Sequence, residues 1–177
     1  LIKLITAQGI TKYNCYNSTI LPAALEQSLL KHSDEKILIV DQVAGDLSIV
    51  GSLANEASFV DMVNQARKNH PNAQLFLRTH PDTRFGKKSG VLAKLALDDL
   101  TVIDSPCHPH ALINAMDAVY TVSSQMGFEG LLLNKPVYCF GMPFYAGWGL
   151  THDALLCERR DVASLEQLIH AALIKYC

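Results

Sequence analysis

The chain has 177 residues, 49% of them hydrophobic and 18% charged, enough for one domain with a sizeable core and too apolar for a disordered segment. Fifteen Lys and Arg against 17 Asp and Glu leave a net charge of −2 with no basic stripe. That argues against nucleic acid as a partner and assigns recognition of any anion to a local site. No apolar run reaches the roughly 18–20 residues needed to cross a bilayer, and Leu1 to Gly9 is too short and wrongly flanked for a secretion signal.

The chain opens on Leu1 inside a helical pattern, as expected of a piece excised from a longer protein. Residues 1–35 read as a helical linker segment from a preceding domain, interrupted near Asn14 to Pro22. From residue 36 to 177, apolar strand-like runs alternate with helical periods. Ile37 to Val40 is a short buried strand. Asn55 to Asn69 has helical spacing through Phe59, Met62, Val63 and Ala66, stopped by His70-Pro71-Asn72. Leu75 to Leu77 is the second strand, followed by a polar, basic loop from Asp82 to Gly90 and a short helical stretch toward Leu97. Leu100 to Ile103 is the third strand, Pro109 to Met116 a helix and Ala118 to Val122 the fourth strand. Ser124 to Leu133 is again helical, and Pro136 to Phe140 is the fifth strand. A loop rich in glycine and aromatic residues runs from Gly141 to Leu150, and the last helix, Ser164 to Tyr176, starts at a capping box of Ser164 and Gln167. This succession predicts an α/β fold: a Rossmann-like parallel sheet, wound right-handed and flanked by helices. Ligands of such sheets bind beyond the carboxyl ends of the strands, which directs attention to four loops.

After the first strand, Asp41-Gln42-Val43-Ala44-Gly45-Asp46-Leu47-Ser48 gathers two carboxylates and an amide around a glycine that lets the backbone turn sharply. Glycosyl transfer needs a carboxylate, to deprotonate an acceptor hydroxyl or to attack an anomeric carbon. Asp46, taken to sit deepest in the loop, is the first candidate, with Asp41 behind it. In the plainer alternative both aspartates only cap the turn and the helix after it. The second strand ends in Arg78-Thr79-His80-Pro81-Asp82. Pro81 biases His80 to an extended backbone, and an imidazole there can donate to a phosphate or help a nucleotide depart. Lys87 and Lys88 add positive charge nearby or are simply solvated surface. The run Thr121-Val122-Ser123-Ser124-Gln125-Met126-Gly127-Phe128-Glu129 leads from a strand through small hydroxyl residues into a helix, a setting suited to phosphate. There Ser123 and Ser124 cap and bind, Gly127 allows close approach and Glu129 accepts from ribose hydroxyls; an ordinary N-cap with a surface glutamate is the alternative. Aromatic faces in Gly141 to Thr151, Trp148 among them, suit a sugar or a base, or else plug the sheet edge.

Five widely spaced cysteines with no CxxC fit a reducing, cytoplasmic setting. Cys107-His108-Pro109-His110 has metal-type donors but no second cluster to complete a tetrahedral site, so no metal is expected. No GxGxxG follows the first strand, and neither GxxxxGK[ST] nor GxSxG occurs, which disfavours dinucleotide, triphosphate and esterase sites.

Taken in order, Asp41-Gln42 with Gly45-Asp46-Leu47-Ser48, His80-Pro81-Asp82, Ser123 to Glu129 and the Pro-Phe-Tyr-Ala-Gly-Trp-Gly block at 143–149 resemble the successive signatures of the capsule polysaccharide biosynthesis family. Lys12-Tyr13-Asn14 fits as well. The likeness is to its KpsC-type retaining β-Kdo glycosyltransferases, of which this would be part of one module. It implies the nucleotide-sugar-binding half of a GT-B-like glycosyltransferase that transfers Kdo from CMP-Kdo to a lipid-linked Kdo acceptor, with no cofactor beyond that donor. It further implies Asp46 as catalytic carboxylate, His80 near the CMP phosphate, and Ser123, Ser124 and Glu129 on phosphate and ribose. The implied setting is the cytoplasm, peripheral at the inner face of the inner membrane, beside capsule assembly and export proteins. Two other functions fit the residues: a nucleotide-sugar epimerase with strand-end histidines, or a non-catalytic docking module of the export assembly.

Overall fold

The computed structural model describes residues 1–12, 19–31, 35–80, 83, 88–94, 97 and 99–176. Apolar runs of three to five residues, bounded by turns, form strands β1 (Lys36–Val40), β2 (Gln74–Arg78), β3 (Thr101–Ile103), β4 (Ala118–Thr121) and β5 (Val137–Cys139). A two-residue edge strand, β6 (His152–Asp153), was not expected; it has no apolar run to announce it. Among the described residues these strands make one sheet in the order β3-β2-β1-β4-β5-β6, the order of the Rossmann fold, with every pairing parallel.

Alternation along each strand divides the core in two. Leu38, Val40, Phe76, Ile103, Val119 and Val137 face one layer, and Ile37, Ile39, Leu75, Leu77, Ala118 and Tyr120 the other. Helix α4 (Glu56–Asn69) covers the second face with Phe59, Met62, Val63 and Ala66, the periodic residues of the sequence. Its start is fixed by a reciprocal box: Asn55 Oδ1 accepts from Ala57 N–H at 2.8 Å, and Ser58 Oγ accepts from Asn55 N–H at 3.2 Å. The first face is covered by α5 (Pro109–Asn114), α6 (Gln125–Leu132) and α7 (Leu165–His170). The Ser164–Gln167 capping box forms as expected, and a π-helical turn over Ala171–Lys175 continues α7.

Residues 1–35 do not stand apart from this body. Ile5 of α1 (Ile2–Ala7) and Leu29 of α2 (Ala23–Leu30) belong to the first core cluster, and His108 Nε2 donates to Gly9 O at 2.9 Å. His108 also caps α5, its Nδ1 accepting from His110 N–H at 3.1 Å, so the Cys107 to His110 stretch is the entry to a helix. No helix among the described residues is long and apolar enough to cross a membrane.

Phe59 has 0% of its surface exposed, whereas its neighbour Val60 retains 40%. Phe59→Ala should destabilise the fold by about 3–5 kcal/mol and Val60→Ala by less than about 1 kcal/mol, read from urea midpoints at constant m-value. Equal losses would show that α4 is not seated as described.

Candidate nucleotide-sugar site

The chain leaves β1 toward β2 on one side and returns to β4 on the other, so the loops after β1 and β4 diverge and open a crevice. Across that opening lies the best-defined polar contact of the site. Gln42, 4% exposed, receives Ser123 N–H on Oε1 at 2.9 Å and donates from Nε2 to Ser123 Oγ at 3.0 Å and to Ser48 Oγ at 3.2 Å. One amide thus ties the β1 loop, the β4 loop and α3 (Leu47–Gly51) together.

Helix α3 was not expected; residues 41–48 read as a loop because its five residues carry no apolar stripe, Leu47 and Val50 being exposed. Asp46 is its N-cap, accepting from Ser48 N–H at 2.9 Å. The ranking of depth is reversed relative to the sequence expectation. Asp41 is buried at 2% exposure, and Asp46 is half-buried at the cleft wall. Asp41 Oδ1 accepts from Gln42 N–H at 2.9 Å and Leu92 N–H at 3.1 Å, and its Oδ2 has no hydrogen-bond partner among the described residues. Burial raises the Asp41 carboxyl above the usual carboxylate range, although these backbone donors and the nearby His80 pull the other way. Asp41 therefore anchors the 90–92 segment, and Asp46 is the better presented carboxylate.

Beyond β4, Ser124 caps α6, its Oγ accepting from Met126 N–H at 3.3 Å, and Tyr145 donates its phenolic proton to Ser124 O at 2.5 Å. Gly127, expected to allow close approach of a ligand, does not line the cleft described below. The space beside it is filled by Tyr145, and a Cβ at residue 127 would run into the Tyr145 hydroxyl and Thr121 Cγ2. Its role is close packing under the helix start. One turn further on, Glu129 is 4% exposed. Its Oε1 accepts from Lys12 N–H at 3.4 Å, and Oε2 has no partner among the described residues. Burial pushes this carboxyl up to about 7, against the pull of the Lys12 contact.

These groups share a cleft of about 520 Å³, lined by Asp41, Gln42, Asp46, His80, Ser123, Ser124 and Glu129 together with Lys12, Arg78, Phe144 and Arg160. Trp148 is not in its lining; its indole donates to Phe144 O at 2.7 Å and carries Arg160 over its ring at 5.4 Å. Lys87 and the Pro81-Asp82 pair lie outside the described residues. Three cations of the lining, Lys12, Arg78 and Arg160, are not among the residues singled out above for ligand binding, although Lys12 belongs to the family resemblance. Arg78 was passed over as the end of a strand, yet it is 7% exposed and donates to Ser105 O at 2.6 Å and Ile103 O at 3.3 Å. Lys12 enters through its backbone, which no residue-type signal reveals. Arg160 sits in the charged run Glu158-Arg159-Arg160-Asp161, which reads as solvated surface. Among the described residues no carboxylate pairs with Arg78 or Arg160. Burial raises both the Asp41 and Glu129 carboxyls, and the two guanidiniums are left as positive charge at the cleft.

Residues 3–177 match the family model for capsule polysaccharide biosynthesis protein. The capsule polysaccharide modification protein LipA of Neisseria meningitidis serogroup B is 39% identical over 150 residues, 80% of this chain and 21% of LipA. The lipopolysaccharide-processing protein LpsZ of Rhizobium meliloti is 34% identical over 99% of this chain and 39% of its own length. Among solved structures, the β-Kdo 2,4 transferase of Thermosulfurimonas dismutans KpsC superposes with a TM-score of 0.87 at 42% identity, covering 97% of this chain and 52% of that one. The β-Kdo 2,7 transferase of the same KpsC gives 0.62 at 29% identity, with 99% and 57% covered. The chain thus spans well under half the length of these curated relatives and about half of each structure. With its Rossmann-like sheet, its cleft at the β1–β4 divergence and a family match over nearly its whole length, the chain belongs to the capsule polysaccharide biosynthesis protein family.

Proposed function

We propose that this chain forms the donor-binding half of a capsule glycosyltransferase that moves Kdo from CMP-Kdo to a lipid-linked saccharide, with retention at the anomeric carbon. The observation that carries this is the convergence of Asp46, His80, Ser123, Ser124 and Glu129 on one cleft at the sheet's switch point. The higher identity and TM-score toward the KpsC 2,4 transferase favour a module of that linkage type. The donor's phosphate would lie against the start of α6, within reach of the Ser124 hydroxyl and His80, with Ser123 held in place by Gln42. The ribose would sit at Glu129, whose unpartnered Oε2 accepts a hydroxyl. Contact with capsule assembly and export proteins, and peripheral contact with a membrane through the lipid acceptor, follow from the same reading.

In the first half-reaction Asp46 attacks the anomeric carbon. The bond from that carbon to the phosphate oxygen breaks, and the electron pair leaves with CMP, protonated by His80. In the second, the acceptor hydroxyl attacks the same carbon from the side CMP vacated, expelling the Asp46 carboxylate and passing its proton to His80. Two inversions give net retention. No metal is needed in this scheme, because the leaving group is a monophosphate met by side-chain donors and a helix start.

Asp46→Asn keeps the N-cap, since asparagine caps as well as aspartate, but removes the nucleophile. In the full-length protein, turnover should fall by about a thousandfold or more, while the dissociation constant for CMP, measured by calorimetry, stays within a few-fold. Retained turnover would remove Asp46 from the role. Tighter binding of UMP or UDP than of CMP would favour an epimerase-like site, and CMP binding with no transfer by the full-length wild type would favour a docking module.

Glu129 sets a pH dependence. Its folded-state value of about 7 lies above the ordinary 4.5, so between those pH values the folded chain holds more protons than the unfolded chain. Its contribution to stability is therefore most favourable below about pH 4.5 and is lost as pH rises through 7. Glu129→Gln should remove a loss on the order of 1–3 kcal/mol between pH 5 and pH 8, read as a flatter denaturation profile than wild type. A ribose hydroxyl donating to the carboxylate favours its ionised form. CMP should accordingly bind more tightly as pH rises through 7, with proton release measured in buffers of differing ionisation enthalpy. A pH-independent wild type would overturn the assignment of Glu129 to the ribose.

A further inference from the structure

A CMP–sugar-acid donor carries two anions, one on each side of the bond that breaks: the phosphate and the carboxylate attached to the anomeric carbon itself. The serine turn and His80 answer only the first. We propose that Arg160 is the subsite for the second, holding the donor's carboxylate and thereby aiming the anomeric carbon at Asp46. This rests on the reading of the cleft as a CMP–sugar-acid site and adds a substrate contact to it.

Four observations carry the assignment. Arg160 lines the cleft beside Pro143 and Phe144. Its guanidinium is held in one orientation, Nη1 donating to Pro143 O and Ala146 O at 2.6 Å each while the group lies over the Trp148 ring at 5.4 Å. A guanidinium fixed through one nitrogen retains further donors for a planar, two-oxygen acceptor. Room for the side chain comes from Gly147, whose φ of +77° suits glycine and where a Cβ would stand 3.1 Å from Arg160 Cδ. Its charge is not spent on an acid, since among the described residues none lies within ion-pair distance.

Placement decides between the two arginines of the cleft. Arg78 ends β2, two residues before His80, and so stands beside the imidazole proposed to meet the phosphate. Arg160 is fastened to the loop that follows β5. In the strand order β2-β1-β4-β5 the two arginines lie on opposite sides of the crevice, and a phosphate held between His80 and the start of α6 leaves Arg160 as the one not beside His80.

The test compares two ligands on one variant. With Arg160→Gln in the full-length protein, the dissociation constant for CMP should stay within threefold of wild type, while KM for CMP-Kdo rises tenfold or more and Arg160→Lys recovers part of that loss. In the 177-residue chain carrying the same substitution, Trp148, its one tryptophan, reports by fluorescence whether the 141–150 loop has kept its place. CMP affinity falling in step with donor KM, or a shifted Trp148 spectrum with both ligands equally weakened, would make Arg160 a clamp of the loop and overturn the subsite. An unchanged donor KM would overturn it as well. Failure of wild type to bind CMP at all would instead remove the proposed function, and the subsite with it.

Discussion

The site depends on a single buried amide. Where β1 and β4 part, the sheet no longer supplies hydrogen bonds between its two central loops, and without a bridge each would adopt its own conformation. Gln42 supplies that bridge with both ends of its side chain, accepting from the Ser123 backbone and donating to the hydroxyls of Ser123 and Ser48. An amide is suited to this because it carries donor and acceptor on one rigid plane; a carboxylate could only accept and an ammonium could only donate. Asp46 at the head of α3 and Ser124 at the head of α6 are therefore located relative to each other by one residue, and the geometry between these two helix starts follows from it.

Around this bridge the cleft manages charge by burial. Asp41 and Glu129 are carboxyls placed where water is scarce, so burial makes the negative charge of each costly and raises the pKa of both. Arg78 and Arg160 are satisfied by main-chain carbonyls, so their positive charge is not cancelled. The result is a local field that the whole-chain charge of −2 does not suggest. It also explains why two of three acidic side chains in the lining serve as anchors or acceptors, leaving Asp46 as the carboxylate with a wall to itself.

Much of this was legible beforehand. Apolar runs with turn residues at their ends gave five of the strands to within a residue or two, and the spacing of Phe59, Met62, Val63 and Ala66 gave α4 with its buried face. The residues brought together in the cleft were chosen because they follow strands, and the topology puts those ends on one edge. What could not be read was whatever tertiary contact decides. A five-residue helix with Leu47 and Val50 in solvent has no periodic signature, and a two-residue edge strand such as β6 exists only through its neighbour. Gly127 looked like a concession to a ligand because its spacing cannot say that Tyr145 fills the gap. Trp148 looked like a binding surface for the same reason, and instead supports the arginine that the charged run around it concealed.

The hydrogen bond from Lys12 N–H to Glu129 has a consequence for where this unit begins. The carboxyl whose Oε2 is proposed to face a ribose is held through its other oxygen, Oε1, by the main chain of a segment lying ahead of the first strand, and Gly9 is fastened by His108 just upstream. Trimming the protein to residues 36–177 would remove this contact from Glu129 and, with it, the Ile5 and Leu29 side chains from the first core cluster. The smallest piece that keeps Glu129 in its present surroundings is therefore larger than the sheet, and the difference lies ahead of β1, in residues that contribute backbone at Lys12 and a core side chain at Ile5.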